Sequence, residues 1–192
     1  MTPRTTGTDL VNRTFIILAQ GFGTPLRYLT IWKTTLSAGR IDQQGNAMLD
    51  RECLSREHDE LTTLAASLVA QVAQARPDLA GLSTVRWRFN RVLLMHLAKE
   101  DKLLYPQLAR SSLPRVAQLA ERFAAEVCGL AADYAAYMQR WPVERIESQW
   151  SLFGQDTRRI VAILNTRIRR EESELYPCID AASVALPAAR GL

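Results

Sequence analysis

Apolar residues recur along most of the chain at intervals of three and four positions, the spacing of one face of an α-helix. Short loops that contain glycine, proline or serine interrupt this pattern. Long helices joined by short loops predict an up-down-up-down four-helix bundle. The four long segments with helical spacing are residues 47–74, 84–104, 113–140 and 143–175.

The chain before the first long segment is predicted to add one or two shorter helices. Residues 10–20 form the first candidate, and Thr24-Pro25 resembles a helix start that leads to a terminating Gly39. We therefore divide the chain into a helical N-terminal extension, a bundle and a C-terminal tail, which correspond to residues 1–45, 46–180 and 181–192.

Composition supports an all-α fold. Hydrophobic residues make up 47% of the chain, which is enough for a sizeable core, and the runs of β-branched residues are short. Alanine, leucine, arginine, glutamate and glutamine are abundant, and all of them favour helices. The three cysteines, Cys53, Cys128 and Cys178, lie far apart, which predicts neither a disulfide framework nor a cysteine zinc site.

The net charge of +4 is mild, and acidic residues lie between the basic ones along the helices. This pattern is typical of a solvated surface, so nucleic-acid binding is permitted but not favoured. We find no signal-peptide pattern and no run of apolar residues long enough to span a membrane. A cytoplasmic protein without a membrane partner is the resulting expectation.

The chain contains only two histidines, and each falls on the apolar face of a different long segment. His58 lies in line with Leu54 and Leu61, and His96 lies one helical turn before Glu100. An imidazole and a carboxylate that face a core need partners, because burying an unpaired charge costs free energy. A metal ion is one partner that would satisfy both groups.

Residues 96–106 have a counterpart 71 positions later, at residues 167–177. Glu100 aligns with Glu171, and both segments end in Leu-Tyr-Pro, where we expect the helices to stop because a residue before proline is disfavoured in the α region. His96, however, aligns with Arg167. The repeat predicts two similar helix pairs around a site that is complete on one side only.

Two interpretations of these residues are open. His58, His96, Glu100 and Glu171 together offer nitrogen and oxygen donors that suit iron, manganese or zinc better than calcium or magnesium. Alternatively, Arg167 forms an ion pair with one of the glutamates, and the histidines are hydrogen-bonded core residues. The first interpretation predicts a metal site, and the second predicts a core without metal.

These residues resemble the hemerythrin-like, or HHE cation-binding, family of four-helix bundles with a non-haem iron centre. Residues 56–61 resemble the first histidine element, and the His96–Glu100 spacing followed by Leu-Tyr-Pro resembles the second. Glu171 with its own Leu-Tyr-Pro resembles the fourth, and the resemblance spans roughly residues 50–180. It implies His58, His96, Glu100 and Glu171 as metal ligands, the two glutamates being the bridges of a two-iron site.

The chain departs from the family at the second iron. Arg167 stands at the histidine position of the fourth helix, and the third helix has no histidine. The resemblance therefore implies a single metal ion, with iron as the first candidate. It also implies that the Arg167 guanidinium occupies the place of the second metal ion. An Arg167→His substitution alone should not restore a second iron.

We predict an incomplete, mononuclear metal protein that acts in sensing, storage or redox signalling, with O2 or NO as a possible ligand. The alternative is a metal-free bundle that binds a protein partner or a second copy of itself through the N-terminal helices. Enzyme activity is left open but not favoured, because the sequence offers no nucleophile–base pair.

Overall fold

The computed structural model describes residues 51–179 of the chain. Within this range every regular element is helical, in agreement with the all-α prediction. The predicted N-terminal helices and the C-terminal tail lie outside the described residues. The elements are α1 (Arg51–Val72), α2 (Leu79–Lys99), a π-helical turn (Glu100–Leu104), α3 (Tyr105–Ala109), α4 (Pro114–Arg140), α5 (Val143–Ile146), α6 (Trp150–Arg170) and a second π-helical turn (Glu171–Leu175).

The long helices form a closed four-helix bundle. Helix α1 packs against α2 and α6, and α4 packs against α6 and against the α3 continuation of α2. The short connections between consecutive long helices make these helices antiparallel neighbours, as predicted for an up-down-up-down bundle. No helix among residues 51–179 is both long enough and apolar enough to cross a membrane.

The predicted inward faces are confirmed on α1 and α6. On α1 the residues from Leu54 to Val72 that share the predicted face, His58 included, are buried. On α6 the buried residues include Ile160, Leu164 and Arg167, and Glu171 follows them on the same face. The 3.6-residue helical period is therefore sufficient to place these side chains.

Three local predictions were wrong. Helix α2 begins at Leu79 rather than at residue 84, because the Asp78 side chain accepts a hydrogen bond from the Gly81 N–H at 3.0 Å and caps the helix. The chain does not leave the helix at Tyr105-Pro106, since α3 continues it to Ala109. The last predicted segment, residues 143–175, is not one continuous helix, since it is interrupted between Ile146 and Trp150.

The glycines of α4 and α6 serve different roles. A Cβ added at Gly154 would lie 3.3 Å from the Val72 carbonyl oxygen, so this glycine permits the close approach of α6 to α1. A Cβ at Gly129, in the interior of α4, would meet nothing within 4 Å. Packing therefore requires glycine at the first position and not at the second.

We expect Gly129→Ala to raise the free energy of unfolding by about 0.5–1 kcal/mol, because alanine loses less backbone entropy in a helix interior. Gly154→Ala is the matched comparison, and we expect it to forfeit this gain through the contact with Val72. Urea unfolding followed by circular dichroism measures both. Equal stabilisation by the two substitutions would contradict the close-approach argument.

Arg86 is a buried arginine besides Arg167, and it lies at the end of the bundle where α4 stops. Its burial was not predicted from the sequence. Its guanidinium donates to the Trp141 carbonyl oxygen at 3.0 Å, beyond the last turn of α4, and lies 5.4 Å from the centroid of the Phe153 ring. A cation at a helix C-terminus is favourable, so Arg86 stabilises the end of α4 and fills an aromatic part of the core.

Candidate metal centre

Both glutamates of the sequence repeat begin a π-helical turn. The Tyr105 N–H donates to the Glu100 carbonyl oxygen, and the Tyr176 N–H donates to the Glu171 carbonyl oxygen at 2.8 Å, five residues back in each case. Proline lacks an N–H, and its ring collides with the carbonyl four residues earlier in an α-helix. That carbonyl lies inside the π-helical turn in both copies, so the wider turn accommodates the proline. Such turns are rare and frequent at functional sites.

The four residues predicted as ligands come together in the core. His58, His96, Glu100 and Glu171 each offer one donor atom, and these atoms all lie within 4.8 Å of one another. All four side chains are at most 2% exposed. Helix α1 supplies His58, α2 and the turn after it supply His96 and Glu100, and the turn after α6 supplies Glu171.

The separations of the donor atoms fit a metal ion. His58 Nε2 lies 3.0 Å from His96 Nε2 and 3.3 Å from Glu171 Oε2. His96 Nε2 lies 3.7 Å from Glu100 Oε1. Ligand atoms about 2.1 Å from a tetrahedral metal are roughly 3.4 Å apart, and these three separations lie close to that value.

The orientation of the histidines supports the same conclusion. Each Nδ1 atom lies closer to a glutamate outside the four-residue cluster, at 2.7 and 3.1 Å, than the Nε2 atom of the same ring lies to a glutamate inside it, at 3.3 and 3.7 Å. An ionised carboxylate can only accept a hydrogen bond, so it favours the proton on the nearer nitrogen. We therefore assign the imidazole protons to Nδ1, which leaves the Nε2 lone pairs of His58 and His96 turned toward each other. Two lone pairs 3.0 Å apart require a cation or an additional proton between them. The residues present thus fit a metal ion.

The second oxygens of the two glutamates contact Tyr105 and Arg167. The Tyr105 hydroxyl donates to Glu100 Oε2 at 2.8 Å. Arg167 Nε donates to Glu171 Oε1, and Arg167 Nη2 donates to the Tyr105 hydroxyl at 2.6 Å. The guanidinium also lies 4.9 Å from the centroid of the Phe123 ring. The ion pair between Arg167 and a glutamate, one of the two interpretations of the sequence, is therefore present, and it coexists with the donor cluster.

The environment shifts the pKa values of the two glutamates in opposite directions. Burial and the neighbouring Glu171 carboxylate raise the pKa of Glu100 to about 8. Burial also acts to raise the pKa of Glu171, but the adjacent His58 imidazole, 3.3 Å away, and the charge of Arg167 outweigh it and lower the pKa. A compact cluster with two carboxylates therefore holds one of them ionised and favours a proton on the other when no cation is bound.

Sequence reasoning missed two tyrosines at this site and three glutamates beside it, of which two face the Nδ1 atoms of the histidines. The Tyr176 hydroxyl lies 3.2 Å from both His58 Nε2 and Glu100 Oε1. Glu126 of α4 lies 3.5 Å from Arg167 Nη1, which makes no hydrogen bond of its own. The repeated Leu-Tyr-Pro ending was the available signal for Tyr105 and Tyr176, since equivalent positions on equivalent helices point to the same place.

Comparison with known proteins identifies the family. The family model described as "Hemerythrin HHE cation binding domain" matches residues 50–179. No curated protein and no solved structure matches the chain. The matched residues coincide with the described bundle and contain all four donor residues. The chain therefore belongs to the hemerythrin family of HHE cation-binding domains.

Proposed function

We propose that this protein holds a single non-haem metal ion, with iron as the first candidate, through His58, His96, Glu100 and Glu171. The observation that carries the proposal is the convergence of their four buried donor atoms within 4.8 Å. Two imidazoles and two carboxylates are a donor set that iron, manganese and zinc accept. The inward Nε2 lone pairs of both histidines support coordination rather than simple core packing.

We further propose that Arg167 takes the place of a second metal ion. In a two-metal site each bridging carboxylate needs its second oxygen for the second ion. Here those oxygens accept hydrogen bonds from Tyr105 and Arg167. The guanidinium supplies a positive charge at that position, and no histidine is present on α4 to complete another ligand set.

A single centre of this kind suits sensing, storage or redox signalling better than reversible O2 carriage, which in this family uses two irons. An iron ion bound here would supply one-electron redox chemistry and a position for a small ligand such as O2 or NO. The Tyr176 hydroxyl would hold a proton beside the donor cluster, because it lies 3.2 Å from Glu100 Oε1. A surface groove of about 540 Å³ between α4 and α6 is lined in part by Arg167, and none of the four donor residues lines it.

Metal content per chain tests this proposal directly. We expect close to one iron per wild-type chain, purified without a histidine tag and with iron supplied, and almost none in His96→Ala. Arg91→Ala, an exposed change on the same helix, is the control and should keep the metal. Elemental analysis measures all three. Two ions per chain, or none in the wild type, would overturn the mononuclear site.

Arg167→His provides a second test of the same proposal. We expect this variant to bind no more than one metal ion per chain, because α4 still lacks an imidazole. A second ion in this variant, measured by the same elemental analysis, would contradict the conclusion that a second site requires an imidazole on α4.

One observation favours a second candidate function. Arg167 and Glu171 form a buried ion pair that needs no metal, and His58 and His96 have hydrogen-bond partners on both ring nitrogens. A metal-free bundle that acts through protein contacts, or as a homodimer through the helices predicted from the sequence of the N-terminal segment, is therefore the alternative. A chelator separates the two functions, because removal of a bound metal lowers the melting temperature, whereas a metal-free core does not respond.

A further inference from the structure

Two glutamates outside the donor cluster contact the outer nitrogens of the histidines. His96 Nδ1 lies 3.1 Å from Glu57 Oε2, and His58 Nδ1 lies 2.7 Å from Glu172 Oε1. Each glutamate follows or precedes a proposed ligand in the sequence but contacts a histidine on a different helix. Glu57 of α1 holds the histidine of α2, and Glu172 beyond α6 holds the histidine of α1.

Both glutamates are themselves held in place. Lys99 donates to Glu57 Oε1, which leaves Oε2 for His96. The Ser55 hydroxyl donates to Glu172 Oε2 at 3.0 Å, which leaves Oε1 for His58. The exposed fraction is 19% for the Glu57 side chain and 33% for that of Glu172, so both lie at the edge of the core. The Nδ1 atom of each imidazole therefore contacts a carboxylate whose position is fixed by a second hydrogen bond.

The chemical consequence concerns which nitrogen of each imidazole is available. A carboxylate that accepts from Nδ1–H keeps the proton on that atom and leaves Nε2 as the free donor. It also orients the ring and makes Nε2 more basic, and loss of such a partner typically costs 10–100-fold in metal affinity. The same arrangement at both histidines directs both Nε2 atoms into the cluster.

We infer that Glu57 and Glu172 are positioning residues of the metal centre, which fix the tautomer and the orientation of His96 and His58. The inference rests on the proposed function, because it assigns these glutamates a role toward the bound ion. They are not ligands, so their replacement changes the affinity for metal and leaves the stoichiometry at one ion per chain.

Zinc affinity measured by competition with a chromophoric chelator is the first test. Zinc is chosen because it has no redox chemistry of its own. We expect Glu57→Gln and Glu172→Gln each to weaken binding by about tenfold or more, because a neutral amide is a weaker acceptor for Nδ1–H. Glu60→Gln and Glu174→Gln remove the same charge from the same segments, where these residues pair with arginines. These two controls should bind zinc as the wild type does.

Nuclear magnetic resonance of the ¹⁵N-labelled imidazoles gives an independent readout, since the chain has only two histidines. We expect a proton on Nδ1 of both rings, with and without zinc, and a changed tautomer balance in the ring whose glutamate is replaced. A proton on Nδ1 of neither ring, or unchanged zinc affinity in both variants, would overturn the inference and leave the proposed function standing. A wild type that binds no zinc or iron would overturn both.

Discussion

Replacement of Arg167 by methionine is expected to lower the free energy of unfolding of the metal-free protein by about 3–5 kcal/mol, the usual cost of removing one partner of a buried ion pair. The guanidinium donates to Glu171, to the Tyr105 hydroxyl and to the Phe123 carbonyl oxygen, and it is 7% exposed. Without it, Glu171 keeps a buried charge beside Glu100 with no cation of its own. Chemical denaturation of the chelator-treated protein measures the difference.

Arg170→Met is the matched control for this prediction. Arg170 lies three residues after Arg167 on α6. Its guanidinium pairs with Glu126 and Glu174, whose side chains are 35% and 39% exposed. An exposed pair of this kind contributes about 0–1 kcal/mol. Equal losses for the two variants would show that Arg167 does not balance the charge of the cluster.

Metal binding should reduce the cost of the Arg167 substitution, because a bound cation supplies part of the charge that the guanidinium provided. We therefore expect the difference between wild type and Arg167→Met to be smaller in the metal-loaded protein than in the metal-free protein. If the difference is the same in both, the guanidinium and the metal do not act on the same carboxylates.

The stability of the metal-free protein is expected to fall as pH rises from about 5 to 8. The folded protein raises the pKa of Glu100 to about 8 through burial and the adjacent Glu171 carboxylate, against an ordinary value of 4.5. Between these values the folded state holds a proton that the unfolded chain has lost. The stabilisation is therefore complete below the unfolded pKa, and up to about 1.4 kcal/mol is lost per pH unit above it.

Glu100→Gln isolates this contribution. The groups around Glu100 that carry or accept protons, Glu171, Arg167, His58 and Tyr105, stay in place in the variant. We expect the dependence of the unfolding free energy on pH to be weaker in Glu100→Gln than in the wild type, and unaffected in the exposed control Glu121→Gln. Parallel pH profiles for all three proteins would contradict a buried, protonated Glu100.

Much of the site could be predicted from the sequence because helical periodicity sets the direction of a side chain. His58, His96, Glu100, Arg167 and Glu171 fall on apolar faces, and the structure buries all of them. The repeat also predicted that the two halves of the site would differ at Arg167. These conclusions need only the spacing of residues on single helices and the cost of burying polar groups.

Contacts between helices could not be predicted in the same way. Glu57 and Glu172 are adjacent to proposed ligands in the sequence, so they do not lie on the inward face of their own segments. Each contacts a histidine on a neighbouring helix instead. The π-helical turns were missed because an α-helix that ends before proline is the ordinary expectation. The turns let the chain stay helical at Pro106 and Pro177, and they place Tyr105 and Tyr176 at the cluster.

By itself, the sequence determined the all-α bundle, the inward placement of two histidines and two glutamates, and the loss of imidazoles on the side of α4. Those features depend on residue identity and on the period of the helix. The tertiary structure alone decided which oxygen of each glutamate faces Arg167, which nitrogen of each histidine faces the cluster, and how closely the donor atoms approach. Such features depend on how the helices are rotated and staggered against one another, and only packing sets that relation.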